Sequence, residues 1–204
     1  MADLAGYYPT SPWFNAVDFS VNTPTITSET NAGKVRRVGY GHSFYSWTVK
    51  YPNMTQAQLG PIAGFIAQTR GPLLSFEIVL PQISYTKSSN PSVSTVSTSQ
   101  TISAGVSQVT VSGATASSTI LLGGDFFKFA SHSKVYQATN TCTADGSGNA
   151  TLYFSGNLVA DVTSGTNITT TAVPFTAIME SDAHQVNVGM GGMSTLSLQM
   201  RETW

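Results

Sequence analysis

Apolar and polar positions alternate along much of this chain. In residues 44–51, Tyr45, Trp47, Val49 and Tyr51 are aromatic or apolar and alternate with Phe44, Ser46, Thr48 and Lys50. A period of two is the pattern of a strand with one buried face. The run before it, residues 35–41, also reads as a strand, with Val35, Arg37, Gly39 and Gly41 on one side and Arg36, Val38 and Tyr40 on the other. Near the end of the chain Leu196, Leu198, Met200 and Glu202 alternate with Ser197, Gln199, Arg201 and Thr203, which predicts a third strand with one mostly apolar face.

Between residues 55 and 70 the period changes. Leu59, Ile62, Ala63 and Ile66 follow the i, i+3, i+4, i+7 spacing of an amphipathic helix, with Phe65 beside them and Gln56, Gln58 and Gln68 on the wetter side. Thr55 is a suitable N-cap. Pro61 opposes a regular helix, because an interior proline costs about 3 kcal/mol. The helix is therefore expected either to start near Gly60 or to kink there. Gly71 and Pro72 stop it, and residues 73–80 read as a buried strand closed by Pro81.

From Gln82 the pattern shortens. Residues 84–119 are rich in Ser and Thr, yet Val109 and Val111 alternate with Thr110 and Ser112. Short strands are expected at 120–122, 126–129, 134–140, 149–154 and 168–171. Turn signals at Gly123-Gly124-Asp125, Asp145–Asn149, Gly156-Asn157 and Ser164-Gly165 separate them. The spacing predicts a small sandwich or barrel. Residues 175–180, 185–188 and 195–202 complete the strands, and Gly189–Gly192 reads as a turn. The expected class is mainly β, a β-sandwich with one helix plus an inserted small β domain. Residues 1–81 and 176–204 would form the first domain, and 82–175 the insertion with its Ser/Thr-rich leading segment.

Composition narrows the chemistry. Only 9% of the residues are charged and the net charge is −1, so a partner held through many phosphate contacts is not expected. The densest basic group is Lys34, Arg36 and Arg37. Few ions would need desolvating if this surface met a neighbouring subunit. Cys142 is the single cysteine, which excludes an intrachain disulfide and a cysteine zinc site, and a buried apolar role is expected for it. No run reaches 18 apolar residues, and the first residues have neither the basic nor the apolar region of a secretory signal. His42, His132 and His184 lack metal-ligand spacing and read as turn or surface residues. The segment Asp145–Asn149 begins like a calcium loop, but Gly156 stands where the twelfth-position carboxylate is required, so it reads as a turn. Asp125, Asp145, Glu180 and Asp182 are the carboxylates a hydrolase would need to pair, and their spacing gives no reason to pair them. No cofactor and no catalytic residue is expected.

Two stretches resemble a known family. RRVGYGHSFYSWTVKYPNMTQAQLGPIAGFIAQTRGPLLSFEIVLP, residues 36–81, is similar to tailed-phage tail proteins in which an aromatic strand leads into a polar-capped helix, an arginine-glycine stop and a strand ending in proline. ILLGGDFFKFASHSKVYQATNTCTADGSGNATLYF, residues 120–154, resembles a small β-module of the same proteins, and VPFTAIMESD, residues 173–182, the return from it. The resemblance implies a distal tail or minor tail protein. Such a protein would form a ring, usually a hexamer, below the tail tube and would join the tube to the baseplate hub or fibres. Its place would be the virion tail, assembled in the host cytoplasm. The Ser/Thr-rich segment 84–104 has no counterpart in this pattern.

Trp13, Phe14, Tyr45, Trp47, Tyr136 and Tyr153 are the aromatics that an interface would use. Tyr136 and Tyr153 would suit stacking on a host surface glycan if the inserted domain were an adhesion module. The other reading of Trp13, Phe14, Tyr45 and Trp47 is that they fill the core.

Overall fold

The computed structural model describes residues 4–89, 91–92, 95–189 and 192–204. Asn90, Val93 and Ser94 of the Ser/Thr-rich segment, and Met190 and Gly191 of the glycine-rich turn, lie outside the described residues. In chain order the elements are β1 (Leu4–Tyr7), β2 (Ala16–Asn22), β3 (Thr25–Glu29), β4 (Val35–Gly39), β5 (Phe44–Lys50), α1 (Gln56–Thr69), β6 (Ser75–Ile78), β7 (Ser97–Thr98) and β8 (Gln108–Ser112). They continue with β9 (Thr119–Leu121), β10 (Phe126–Phe129), β11 (Val135–Gln137), β12 (Cys142–Thr143), β13 (Ala150–Tyr153), β14 (Ile168–Thr169), β15 (Phe175–Met179), β16 (Val186–Val188) and β17 (Ser194–Glu202). The fold is mainly β, with several sheets and one helix, as the alternation predicts.

These elements form two compact units. The first comprises Met1–Val21, Phe44–Leu80 and Phe175–Trp204, and the second Asn22–Ser43 and Pro81–Pro174. Residues 22–43, placed in the first domain by the sequence reading, group with the second unit. The reason is local: Asn157 N donates to Gly41 O at 2.7 Å, and Gly156 lies against the Ser43 backbone.

The first unit is a seven-stranded sheet in the order β1-β6-β15-β17-β5-β2, with β16 paired to the first half of β17. β1 joins β6 in parallel; β6, β15, β17 and β5 run antiparallel in turn. Alternation decides which face is buried. Tyr45, Trp47 and Val49 of β5, with Leu196, Leu198 and Met200 of β17, all turn inward. Phe19 of β2 stacks on Tyr45 at 5.5 Å and on Trp47 at 6.0 Å, while Phe175 meets Trp47 edge-on at 5.4 Å. Such offset and edge-to-face pairs are worth roughly 0.5–1.5 kcal/mol each beyond burial.

Helix α1 starts at Gln56, not at Gly60, and keeps Pro61 in its interior. Thr55 and Gln58 form a reciprocal cap: Gln58 N donates to Thr55 Oγ1 at 3.4 Å and Thr55 N donates to Gln58 Oε1 at 2.9 Å. Ala57 and Pro61 are both exposed, so water reaches the carbonyl that Pro61 cannot engage. The buried stripe is Ile62, Phe65 and Thr69, and Ala63, expected on it, is exposed. Phe65 sets this rotation by packing edge-on between Tyr8 (5.2 Å) and Phe76 (5.3 Å). Arg70, in left-handed backbone, ends the helix one residue before the expected glycine.

The second unit surrounds one core with short sheets: β11-β10-β14, β13-β8-β7 and β12-β9. Val109 and Val111 of β8 are buried as their alternation predicts, opposite Leu152 and Ala150 of β13. Phe127, Phe129, Tyr136 and Phe154 form an aromatic centre, with Tyr136 and Phe154 5.0 Å apart. β3 and β4 form a separate two-stranded ribbon, in register from Thr25↔Gly39 to Glu29↔Val35.

Candidate functional site

The structure divides the six candidate aromatics. Tyr45 and Trp47 are buried in the sheet of the first unit, and Tyr136 is buried in the core of the second. None of the three offers a surface for a partner or a sugar, because the strand period that made them prominent also turns them inward. Phe14 is half-buried against Tyr8 and Tyr51. Trp13, 66% exposed in the first unit, and Tyr153, 43% exposed in the second, remain at the surface. The expected stacking pair therefore reduces to Tyr153, since Tyr136 spends its hydroxyl inside, accepting from Val159 N at 3.1 Å and bonding His132 Nε2 at 2.9 Å.

The polar residues are mostly structural. Asp125 is fully buried, and its carboxylate accepts from Thr86 Oγ1 at 2.7 Å, Leu122 N at 2.9 Å and Lys87 N at 3.2 Å, with Lys87 Nζ at 3.5 Å. It ties the start of the Ser/Thr-rich segment to the turn before β10. Asp145 Oδ1 accepts from Asn149 N at 2.9 Å and Ser147 N at 2.7 Å, which closes the glycine-rich loop and holds its carboxyl below the usual range. His132 is half-buried against Phe129 and Tyr136, not a free surface residue. Burial lowers its pKa, assisted by the charges of Lys128 and Lys134. Burial also pushes the Cys142 thiol up to about 11, in keeping with the apolar role expected for it. In the first unit Tyr51 Oη donates to Tyr8 Oη at 2.8 Å, and burial raises Tyr51 to about 12. Among the described residues no three His, Cys, Asp or Glu side chains gather into a metal-binding group.

What the molecule presents outward is edges and faces. The sheet of the first unit ends in β1 on one side and β2 on the other, and among the described residues neither has a strand beyond it. Leu4 and Tyr7 of β1 are exposed, as are Asp18, Ser20 and Val21 of β2. The polar face near β2 has a groove of about 120 Å³ lined by Asp18, Ser20, Ser46, Thr48, Glu180 and Gln199. A broader groove of about 650 Å³, also in the first unit, is lined by residues that include Lys50, His184, Asn187 and Gln199. Asp18 pairs with Lys50 at 2.5 Å, both side chains largely in solvent.

The β3–β4 ribbon is the other outward feature. Every residue from Thr25 to His42 is exposed. Its turn is closed by Gly33, at φ +75°, with Gly33 N donating to Thr30 O and Thr30 N to Lys34 O. Ile26, Val35, Val38 and Tyr40 stand in solvent on it. The sequence reading found β4 but not its partner, because TITSE in β3 carries one large apolar residue and no alternation to detect. Neither a protein-family model nor a curated protein matches this chain.

Proposed function

We propose that this chain is a non-enzymatic structural protein of a tailed-phage virion. In this reading it forms a ring at the distal end of the tail tube and links the tube to baseplate or fibre proteins. The observation that carries the reading is the sheet of the first unit, which ends in β1 and β2 with no strand beyond either among the described residues. Strand edges of this kind pair with other chains unless blocked by charge, proline or a bulge. β1 carries no charge and no proline, Leu4 and Tyr7 are exposed on it, and its register against β6 shifts between these two residues. Two unlike edges on one subunit favour head-to-tail contacts, which close into rings when the rotation between subunits divides a full turn. The low charge of the chain keeps the desolvation cost of such contacts small. The resemblance of residues 36–81 and 120–154 to phage tail proteins supplies the biological setting.

The glycan-binding alternative has less support. Sugar stacking uses aromatic faces at the surface, and of the two tyrosines suggested for it only Tyr153 is exposed. Native mass spectrometry with negative-stain electron microscopy of the purified chain tests the ring. A closed assembly of about six copies is expected; a monomer at every concentration up to the millimolar range would count against it.

A further inference from the structure

The first residues of the chain supply both outer strands of the first unit's sheet. β1 pairs with β6 at one end of the strand order, and β2 with β5 at the other. Residues 8–15 cross between them and are anchored on the way. Tyr8 N donates to Glu77 O at 2.8 Å, and the Tyr8 ring packs against Phe65 at 5.2 Å and Phe76 at 5.6 Å. Phe14 meets Tyr51 edge-on at 5.4 Å, and Asn15 N donates to Lys50 O at 2.8 Å. Phe19 of β2 stacks on Tyr45 and Trp47. The segment from Leu4 to Val21 is therefore a clasp, held at both ends and in the middle by later parts of the chain.

The covalent link from the clasp to those parts is the β3–β4 ribbon, which is built in the opposite way. An isolated two-stranded hairpin is at best marginally stable in water, and every residue from Thr25 to His42 is exposed. Opening the ribbon uncovers no buried side chain. Exposed segments that open at little cost are where proteases cut. Three of the nine basic residues lie there: Lys34 ends the turn, and Arg36 and Arg37 follow in β4. The other six sit in settings that resist opening. Lys50, Lys128 and Arg201 belong to β5, β10 and β17. Lys134 is buried, Arg70 caps α1, and Lys87 N donates to the buried Asp125 carboxylate.

From these two features we infer that the β3–β4 ribbon is a processing site for a protease that cuts after basic residues, and that the two fragments stay together. Water adds across the peptide bond after Lys34, Arg36 or Arg37, leaving a carboxylate on the first fragment and an ammonium on the second; the protease is the catalyst and no other reactant is needed. The first fragment carries β1, β2 and β3. Its release requires both outer strands and the contacts of Tyr8, Phe14 and Phe19 to break together. The product is a two-chain form with the fold of the intact chain. The inference goes beyond the ring reading and does not rest on it.

The test is brief digestion of the folded full chain with trypsin, read by intact mass and by size-exclusion chromatography in buffer and in urea. The first cut is expected after Lys34, Arg36 or Arg37, at least about 100-fold faster than cutting at any basic residue outside the ribbon. The two fragments are expected to elute together in buffer and apart in urea. A variant with Lys34→Gln, Arg36→Gln and Arg37→Gln is expected to lose the fast cut; all three positions are exposed, and circular dichroism checks that the variant folds. A first cut after Lys87 or any other residue outside the ribbon overturns the processing site, as does a fast cut that persists in the variant. Fragments that part in buffer overturn the clasp.

Discussion

Replacing Asp125 by alanine should be among the most damaging single changes to the second unit. The side chain is fully buried and accepts hydrogen bonds from Thr86 Oγ1, Leu122 N and Lys87 N. Each bond to a charged acceptor is worth about 1.5–3 kcal/mol. Three would sum to more than will be measured, because Thr86 is only half-buried and Lys87 is exposed, so water can reach those donors once the carboxylate is gone. Leu122 is half-buried as well, so its amide has the same partial recourse to solvent. A net loss of about 3–5 kcal/mol follows. Asp125→Asn keeps the volume but sets an amide donor among donors, and should cost about 2 kcal/mol. Lys87→Ala should cost less than about 1 kcal/mol, because its ammonium lies 3.5 Å away and its side chain is 58% exposed. The measurement is urea unfolding of the full chain with two probes. Trp13, Trp47 and Trp204 all fall in the first unit, so their fluorescence reports that unit, and far-ultraviolet circular dichroism reports both. The Asp125→Ala transition should move by circular dichroism and stay in place by tryptophan fluorescence. If Asp125→Ala costs no more than Lys87→Ala, the surface ion pair is the main contribution and the reasoning from buried backbone donors is refuted.

Gly148→Ala should destabilise the second unit by more than about 2 kcal/mol, since its φ is +80° and a Cβ would stand 2.3 Å from Ala114 O. Gly105→Ala, with φ +94° and nothing within 4 Å, carries only the backbone strain of about 1 kcal/mol; equal denaturation midpoints for the two would contradict this. His132 has a lowered folded-state pKa, so above the unfolded value of about 6.5 it is neutral in both states and costs nothing. As pH falls below that value the unfolded chain takes up the proton first, and stability is lost down to the folded pKa. His132→Gln should therefore show a smaller drop in melting temperature between about pH 7.5 and pH 5 than the unmodified chain, and an unchanged drop would remove His132 from the account. Cys142 is buried, with its thiol pushed up to about 11, so it should resist a thiol-specific dye at about pH 8 until the chain is unfolded; rapid labelling of the native chain would contradict its placement.

How legible the fold was depended on whether one physical signal dominated a segment. β5 and β17 were plain because each has one buried face, and the helix was plain because Thr55 and Gln58 mark its start. Pro61 misled the reading of that start, because the reciprocal Thr55–Gln58 cap and the packing of Ile62 and Phe65 hold the helix across a proline that local propensity alone disfavours. β1 and β3 left no usable pattern, one with four residues and the other with both faces wet. The candidate surface was read less well than the fold. Aromatic residues stand out in a sequence whether they fill a core or face a partner, and only the sheet separates Tyr45, Trp47 and Tyr136 from Trp13 and Tyr153. The groups that donate to Asp125 come from residues 86, 87 and 122, a spacing that carries no recognisable motif.

The placement of β17 has a consequence for synthesis on the ribosome. It comes after the other described strands in chain order, yet it lies between β15 and β5 and also pairs with β16. Every segment of the second unit leaves the ribosome before β15 and β17 do. That unit can fold while translation continues, whereas β5, β6 and α1 wait with their apolar faces open until β17 arrives. The nascent chain is therefore most exposed to misassociation during the interval in which the second unit is finished and the first lacks its central strand. A chaperone that shields Tyr45, Trp47 and Phe76 over that interval would raise the yield of folded chain without any contact to the finished molecule.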